Sequence, residues 1–242
     1  MKIIASDYDG TVNYQGKVSQ EDKAAIHAFR KAGNKFGIVT GRDAEVSQWI
    51  CLDNFEFDFI ISCTGALIRN GDGEVLYCKK GKTGAFIEEI AQKALEMKAR
   101  FFTVGDVFDK HYLDIYGKIP STFHKLSEFT HANVNLPSDE IAQQFTDYIN
   151  ANYSDKISAY RNGCHVDMPP ANTSKVTGIY EYARMFDHPQ IYTVGDNAND
   201  LPMIREFIGY AVSNAVDVLK AEAKHQCDRI CDMIEEIMKG GK

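Results

Sequence analysis

The sequence of 242 residues has no apolar run approaching the ~20 residues that cross a bilayer, and its first residues show no signal-peptide pattern. Neither a membrane span nor secretion is expected, and the cytoplasm is the expected location. Excess positive charge is also missing. Lys and Arg number 27 against 34 Asp and Glu, a net charge of −7 that does not draw nucleic acid or an acidic membrane to the average surface. A local basic pocket stays open. Cysteine is too sparse for a disulfide framework, with six residues scattered at Cys51, Cys63, Cys78, Cys164, Cys227 and Cys231. Cys227 and Cys231 stand one helical turn apart, but no second pair completes a zinc site. These thiols are expected to be reduced and to pack as small apolar groups. Repeats, low-complexity tracts and flexible linkers are absent as well. What remains is 44% hydrophobic and 25% charged, enough apolar material for a real core. The length exceeds one average domain and falls short of two, which suits a core with a sizeable insert.

The chain opens on Lys2-Ile3-Ile4-Ala5-Ser6, a run suited to a strand buried on both faces, and then delivers Asp7-Tyr8-Asp9-Gly10-Thr11. In an open α/β sheet, ligands sit outside the carboxyl ends of such strands. Two carboxylates one residue apart repel each other there unless a cation or an incoming group offsets them. Asp and Gly are also common turn residues, so this stretch alone decides nothing. Ser19 with Asp22 resembles a capping box, followed by Ala25, Ile26, Phe29 and Ala32 at helical spacing and a stop at Gly33. Strand 36–39 ends at Thr40-Gly41-Arg42. A helix through Ala44, Val46 and Ile50 leads to strand 57–61, which ends at Ser62-Cys63-Thr64-Gly65. Short alternation of strand and helix is the grammar of a right-handed parallel sheet.

That grammar then changes. Residues 66–69 and 74–77 flank Asn70-Gly71-Asp72-Gly73 as a β-hairpin, and 83–98 reads as an amphipathic helix. Strands are expected over 100–104, 107–112 and 131–136, a helix from Pro137-Ser138, and strands over 156–160 and 164–168 around Asn162-Gly163. Residues 113–130 show no clear period. This middle third reads as α+β with an antiparallel sheet, inserted into the parallel one. After Pro169-Pro170 the parallel pattern returns. A helix opens near Lys175, strand 190–194 ends at Gly195-Asp196-Asn197-Ala198-Asn199-Asp200, and a short helix over 201–206 precedes strand 210–212. A helix over 228–239 closes the chain. The expected fold is a Rossmann-like α/β core over 1–80 and 169–242 with an α+β insert over 81–168.

Three strand ends thus carry Asp7 and Asp9, Thr40, and Asp196 with Asp200, while Lys175 opens a helix. In a parallel sheet all of these share one edge. Asp7, Asp196 and Asp200 suit a hard divalent ion, and Mg²⁺ takes few carboxylates and favours a substrate phosphate as a further ligand. Thr40, the backbone around it and Lys175 suit phosphate oxygens. Each has an innocent reading as a turn, a cap or a surface charge; Arg42, for one, could pair with a surface carboxylate. Lys175 in a first helical turn sits unfavourably against the helix dipole, which argues for a role. The joint placement points to phosphoryl transfer to a carboxylate nucleophile.

In order, Asp7-x-Asp9-Gly10-Thr11, Thr40-Gly41-Arg42, Lys175 and Gly195-Asp196-x-x-Asn199-Asp200 resemble the four motifs of the haloacid dehalogenase superfamily of phosphatases. The insert resembles the large cap of the Cof-like, class IIB sugar-phosphatase branch. The resemblance implies Asp7 as the nucleophile and Asp9 as the acid that protonates the leaving oxygen and then activates water, with the Asp9 backbone carbonyl facing the metal. It implies that Thr40, Gly41 and Lys175 bind the phosphoryl group. Asp196 would ligate Mg²⁺ together with Asp7, supported by Asn199 and Asp200. Crowding by other carboxylates is expected to raise the acid toward a useful pKa. Two stretches depart from the pattern: Thr64-Gly65-Ala66 stands where many relatives have Asn-Gly-Ala, and Asp228-Arg229-Ile230-Cys231-Asp232 lacks a glycine loop.

The expected partner is a small phosphorylated metabolite, with no nucleic acid or membrane, and the chain acting as a monomer or weak homodimer. A phosphomutase of the same fold is the near alternative. A phosphate-accepting receiver domain is the more distant one, and it needs neither Asp9 nor an insert.

Overall fold

Ile3 and Ile4 are fully buried in the middle of the main sheet, where a strand has neighbours on both sides. The computed structural model describes residues 1–43, 55–106, 111–115 and 126–240, so the helix expected over Ala44 to Ile50 lies outside the described residues. In chain order the first elements are β1 (Lys2–Ser6), α1 (Gln20–Lys31), β2 (Lys35–Val39), β3 (Phe59–Ser62), β4 (Leu67–Asn70) and β5 (Val75–Cys78). Next come β6 (Gly81–Lys82), α2 (Ala85–Glu96), β7 (Phe101–Asp106), β8 (His111–Ile115), β9 (Glu128–Phe129), β10 (His131–Asn135), α3 (Asp139–Asn152), β11 (Tyr160–Asn162) and β12 (His165–Met168). The chain finishes with α4 (Lys175–Ala183), β13 (Gln190–Gly195), α5 (Leu201–Glu206), β14 (Ile208–Val212), α6 (Asp217–Glu222), β15 (His225–Cys227) and α7 (Ile230–Met238).

The described residues form two compact units, Met1–Tyr77 with Lys175–Lys242, and Cys78–Ser174. The first is an α/β unit of Rossmann-like type. Its sheet runs β15-β14-β13-β1-β2-β3-β4-β5, parallel from β15 through β3, with β4 antiparallel to β3. Ile4 lies opposite Tyr192 on one side and Phe36 on the other. The second unit is α+β, with an antiparallel sheet in the order β11-β12-β10-β7-β8 and a separate β6-β9 pair. Phe102, Val104, Val134, Val166 and Met168 of that sheet share an apolar core with Ile87 and Ile90 of α2 and Phe145 and Ile149 of α3. No helix among the described residues is long and apolar enough to cross a membrane.

Several element boundaries differ from the sequence reading. The second unit is wider than 81–168. Lys79 Nζ donates to the carbonyls of Ala171 and Asn172, and Ser158 N–H donates to the Pro169 carbonyl, which ties both crossings to the insert. The strand expected over 156–160 is replaced by β11 at Tyr160–Asn162, because Gly163, at φ +57°, makes the hairpin turn and sets the pairing with β12. The strand expected at 100–104 lies at Phe101–Asp106; of the one expected at 107–112, residues 107–110 lie outside the described residues, and a strand is described at His111–Ile115. α6 and β15, both short, were not legible at all. The five described cysteines are free thiols.

Ser19 caps α1, accepting from Asp22 N–H at 3.0 Å, but Asp22 does not complete a capping box. Its buried carboxylate reaches across to α7 instead, where it accepts from Cys231 N–H at 2.9 Å and from the Arg229 guanidinium at 3.1 Å. Asp22 therefore satisfies an orphan N–H at the start of α7, a position that favours negative charge. Asp22→Ala is expected to cost about 2–3 kcal/mol, the value of buried charge-assisted hydrogen bonds. That corresponds to a melting temperature roughly 5–10 °C lower. Thermal unfolding checks it, with Asp22→Asn expected between the two.

Candidate functional site

Four adjacent parallel strands, β13-β1-β2-β3, bring their carboxyl ends to one edge, delivering Asp196, Asp7, Thr40 and the 62–65 turn side by side. Asp7 follows β1 directly, and its N–H continues the ladder to the Val194 carbonyl at 2.9 Å. Lys175, the first residue of α4, donates to Asp7 Oδ1 and Asp200 Oδ1, each at 2.6 Å. The side-chain exposures are 6% for Lys175, 9% for Asp7 and 1% for Asp200, so this is a buried ion triad. Lys175 sits in a first helical turn because two carboxylates hold it there. The other Asp200 oxygen accepts from the N–H groups of Asp196 and Asn197, both at 3.2 Å, which fixes the loop after β13.

Two glycines make room for these acids. A Cβ on Gly195 would lie 2.6 Å from the Asp200 side chain, and one on Gly10 would lie 2.4 Å from Asp196 Oδ2. Gly10 also has φ +81°, a conformation that favours glycine. Thr11 Oγ1 donates to Asp196 Oδ1 at 3.1 Å, and Asn214 Nδ2 donates to the Gly10 carbonyl at 2.8 Å.

The electrostatics follow from this crowding. Burial, then the Asp200 charge, push the Asp7 carboxyl up to about 8, against the opposing pull of Lys175. Burial and Asp200 likewise push Asp196 up to about 6. Burial pulls the Lys175 ammonium down, but Asp200 and Asp7 outweigh it and the group is held above its ordinary value. One lysine thus faces three acids, whose ligand atoms all lie within 4.8 Å of one another. Asn199 Oδ1, in the same loop, is buried with no hydrogen-bond partner. An all-oxygen donor set with unbalanced negative charge and an orphaned carbonyl oxygen fits a hard divalent cation.

Asp9 is not in this cluster. Its carboxylate lies in the fork of Arg42, accepting from Nε at 2.6 Å and Nη2 at 2.7 Å, and both side chains are about half exposed. The crowding expected around Asp9 is therefore replaced by a bidentate ion pair with Arg42. Thr40 Oγ1 accepts from Arg42 N–H at 3.2 Å, with Gly41 between them. The following strand end clamps this turn: Cys63 N–H donates to the Arg42 carbonyl at 2.7 Å and Thr64 N–H to the Thr40 carbonyl at 3.2 Å. Cys63 and Thr64 both adopt φ +52°, ahead of Gly65 at φ +105°. Left-handed backbone is costly for a β-branched residue and concentrates at functional sites. The hydroxyls of Ser62 and Thr64 are buried without partners, as is Asn13 Oδ1 in the loop after β1. Of the five such atoms among the described residues, four thus lie at a strand end or in the loops at this edge, which marks it as a place built to receive polar groups.

A sequence profile of haloacid dehalogenase-like hydrolases matches residues 4–233. The chain belongs to this family. Solved structures agree on the fold. A haloacid dehalogenase-like hydrolase from B. subtilis superposes with a TM-score of 0.79 at 16% identity, covering 100% of both chains. A phosphatase of the superfamily from Bacteroides thetaiotaomicron gives 0.75 at 21%, covering 99% of this chain and 94% of that one. A subclass IIB sugar phosphatase gives 0.73 at 20%, covering 100% and 99%. No curated protein matches the chain.

Within this haloacid dehalogenase-like hydrolase, the edge brings together Asp7, Lys175, Asp196, Asn199 and Asp200, and sets Asp9 with Arg42 beside Thr40 and Gly41. Sequence reasoning gave no role to Thr11 or Asn214. Thr11 was visible as the last residue of the first motif. Asn214 had one available signal, its place just beyond the carboxyl end of β14 on the same sheet edge.

Proposed function

We propose that the chain is a Mg²⁺-dependent phosphatase of the Cof-like, class IIB branch that hydrolyses a small phosphomonoester, a sugar phosphate or similar metabolite. The observation that carries this reading is the buried triad: Lys175 held between Asp7 and Asp200, with Asp196 and the unpartnered Asn199 oxygen beside it. Likeness in fold to a subclass IIB sugar phosphatase over the whole chain supports the branch.

In this reading an Asp7 oxygen attacks phosphorus, the bond to the leaving oxygen breaks, and Asp9 supplies that oxygen with a proton. Asp9 then takes a proton from water, whose oxygen attacks the aspartyl phosphate and releases inorganic phosphate with Asp7 restored. Lys175, the Thr40 hydroxyl and the Gly41 backbone hold the phosphoryl oxygens as charge shifts onto them. Asp7, Asp196 and the Asp9 carbonyl would hold Mg²⁺, with Asn199 and Asp200 supporting them. When bound, the ion supplies charge neutralisation for the phosphoryl oxygens and keeps Asp7 ionised.

Phosphate release measured across sugar phosphates, nucleotides and phosphopeptides, with Mg²⁺ or with a chelator, tests the reading. Release from small phosphomonoesters only with Mg²⁺ is the expected result. Preferential turnover of phosphopeptides would overturn the substrate class, and transfer to a sugar without phosphate release would identify a mutase.

A stability test follows from the raised carboxyls. Asp7 and Asp196 bind protons in the folded chain at pH values where the unfolded chain has lost them, between 3.8 and about 8 for Asp7 and between 3.8 and about 6 for Asp196. Their contribution to metal-free stability therefore falls as pH rises through that window. Metal binding requires the deprotonated acids, so the melting-temperature gain from Mg²⁺ should grow from pH 6 to pH 8. A gain that shrinks over that range would contradict this.

A further inference from the structure

The loop after β14 ties together the two loops that carry acids after β1 and β13. β14, β13 and β1 are consecutive in the main sheet, so the ends of β14 and β1 stand two strand spacings apart, about 9–10 Å. Asn214 bridges that distance, its Nδ2 donating to the Gly10 carbonyl at 2.8 Å. Two positions on, Val216 N–H donates to the Asp196 carbonyl at 2.9 Å. Thr11 Oγ1, donating to Asp196 Oδ1 at 3.1 Å, supplies the third leg. Each pair among the three loops is joined by one of these bonds, and together they close a ring.

The corners of the ring are held from within. Ala215 is buried and its N–H donates to the Val212 carbonyl at 2.9 Å, which fixes the loop that carries Asn214. Gly10 N–H donates to the Asn13 carbonyl at 3.0 Å, and Asn13 N–H to the Tyr8 carbonyl at 2.9 Å, so the loop after β1 is tied to itself. Gly10 also lies directly against the acid, since a Cβ there would fall 2.4 Å from Asp196 Oδ2. The peptide that Asn214 grips therefore sets where the carbonyl of Asp9, one residue earlier, stands relative to the Asp196 carboxylate. Asn214 is exposed, and a lone exposed hydrogen bond contributes little. One that closes a ring restrains every corner, and its loss loosens the other two bonds.

We propose that Asn214 is a positioning residue. Acting through Gly10, it keeps the Asp9 carbonyl and Asp196 in the arrangement in which they would hold Mg²⁺. Its effect on turnover rests on the phosphatase reading, whereas its effect on cation affinity is read without turnover. The test uses the full-length protein and the variants Asn214→Ala, Asn214→Leu, Thr11→Val and the Asn214→Ala, Thr11→Val double variant, with thermal melts to show folding. By calorimetry, the Mg²⁺ dissociation constant should rise about tenfold or more in each single variant, the scale for residues that orient metal ligands. Asn214→Leu keeps the bulk without the donor, so it should match Asn214→Ala. The double variant should lose far less than the product of the two single losses, because either break opens the same ring. On a small phosphomonoester, Asn214→Ala should lower kcat about tenfold or more and leave KM within about threefold. An Mg²⁺ affinity within twofold of the wild type in either Asn214 variant, losses that multiply in the double variant, or a change in KM alone overturns the proposal. If the wild type binds Mg²⁺ but releases no phosphate, the phosphatase reading falls and the calorimetry still decides the role of Asn214. A wild type that binds no Mg²⁺ ends the proposal.

Discussion

Asp7→Asn is expected to lower phosphomonoester turnover by about a thousandfold or more, the scale seen when a nucleophile is removed from a unit that acts together. The chain should stay folded. An amide oxygen still accepts from Lys175, but it does not attack phosphorus. The substitution also removes a buried carboxyl that its surroundings push up to about 8, so the melting temperature of the metal-free chain above that pH should be held or raised. Activity and stability are thus expected to move in opposite directions, which a merely structural aspartate would not do. Phosphate release and thermal unfolding read the two effects separately. Full turnover by the variant would remove Asp7 from the nucleophile's role.

Lys175→Met is expected to cost about 3–5 kcal/mol of folding stability, measured by urea denaturation, because it leaves buried acids without their cation. The side chains concerned are at most 9% exposed, so solvent gives little relief. Mg²⁺ should restore part of the loss, since a bound cation partly replaces the missing charge. A surface salt bridge would show less than about 1 kcal/mol and no dependence on metal. Lys175→Arg is expected to do poorly as a replacement: a planar fork does not substitute for a compact ammonium that donates to two different carboxylates.

The parallel unit was legible because its strands announce themselves twice, by runs such as Ile3-Ile4 and Phe36-Gly37-Ile38-Val39 and by the polar residues at their ends. Gly10 and Gly195 were legible only as breaks; that each is needed to admit a carboxylate emerges from packing between distant segments. The pairing of Asp9 with Arg42 was open in the sequence, because a residue two positions from Asp7 can join the cluster or turn from it. Asp22 looked local and proved to bind an element more than two hundred residues away, which no periodicity encodes. β15 and α6 were missed because elements of three and six residues are too short to show a period. In the insert, the turn at Asn162-Gly163 was legible, while the strand before it slipped, because only Tyr160–Asn162 pair with β12.

The division of the chain at Tyr77 and Lys175 has an evolutionary consequence. Every group assigned to the phosphoryl chemistry comes from before the first junction or after the second, and Lys175 is itself the first residue past the interruption. The intervening stretch has its own hydrophobic interior, so it can drift, lengthen or be exchanged between lineages as a cassette without rewriting the reaction. Descendants of such a gene would share a mechanism long after they ceased to share a diet.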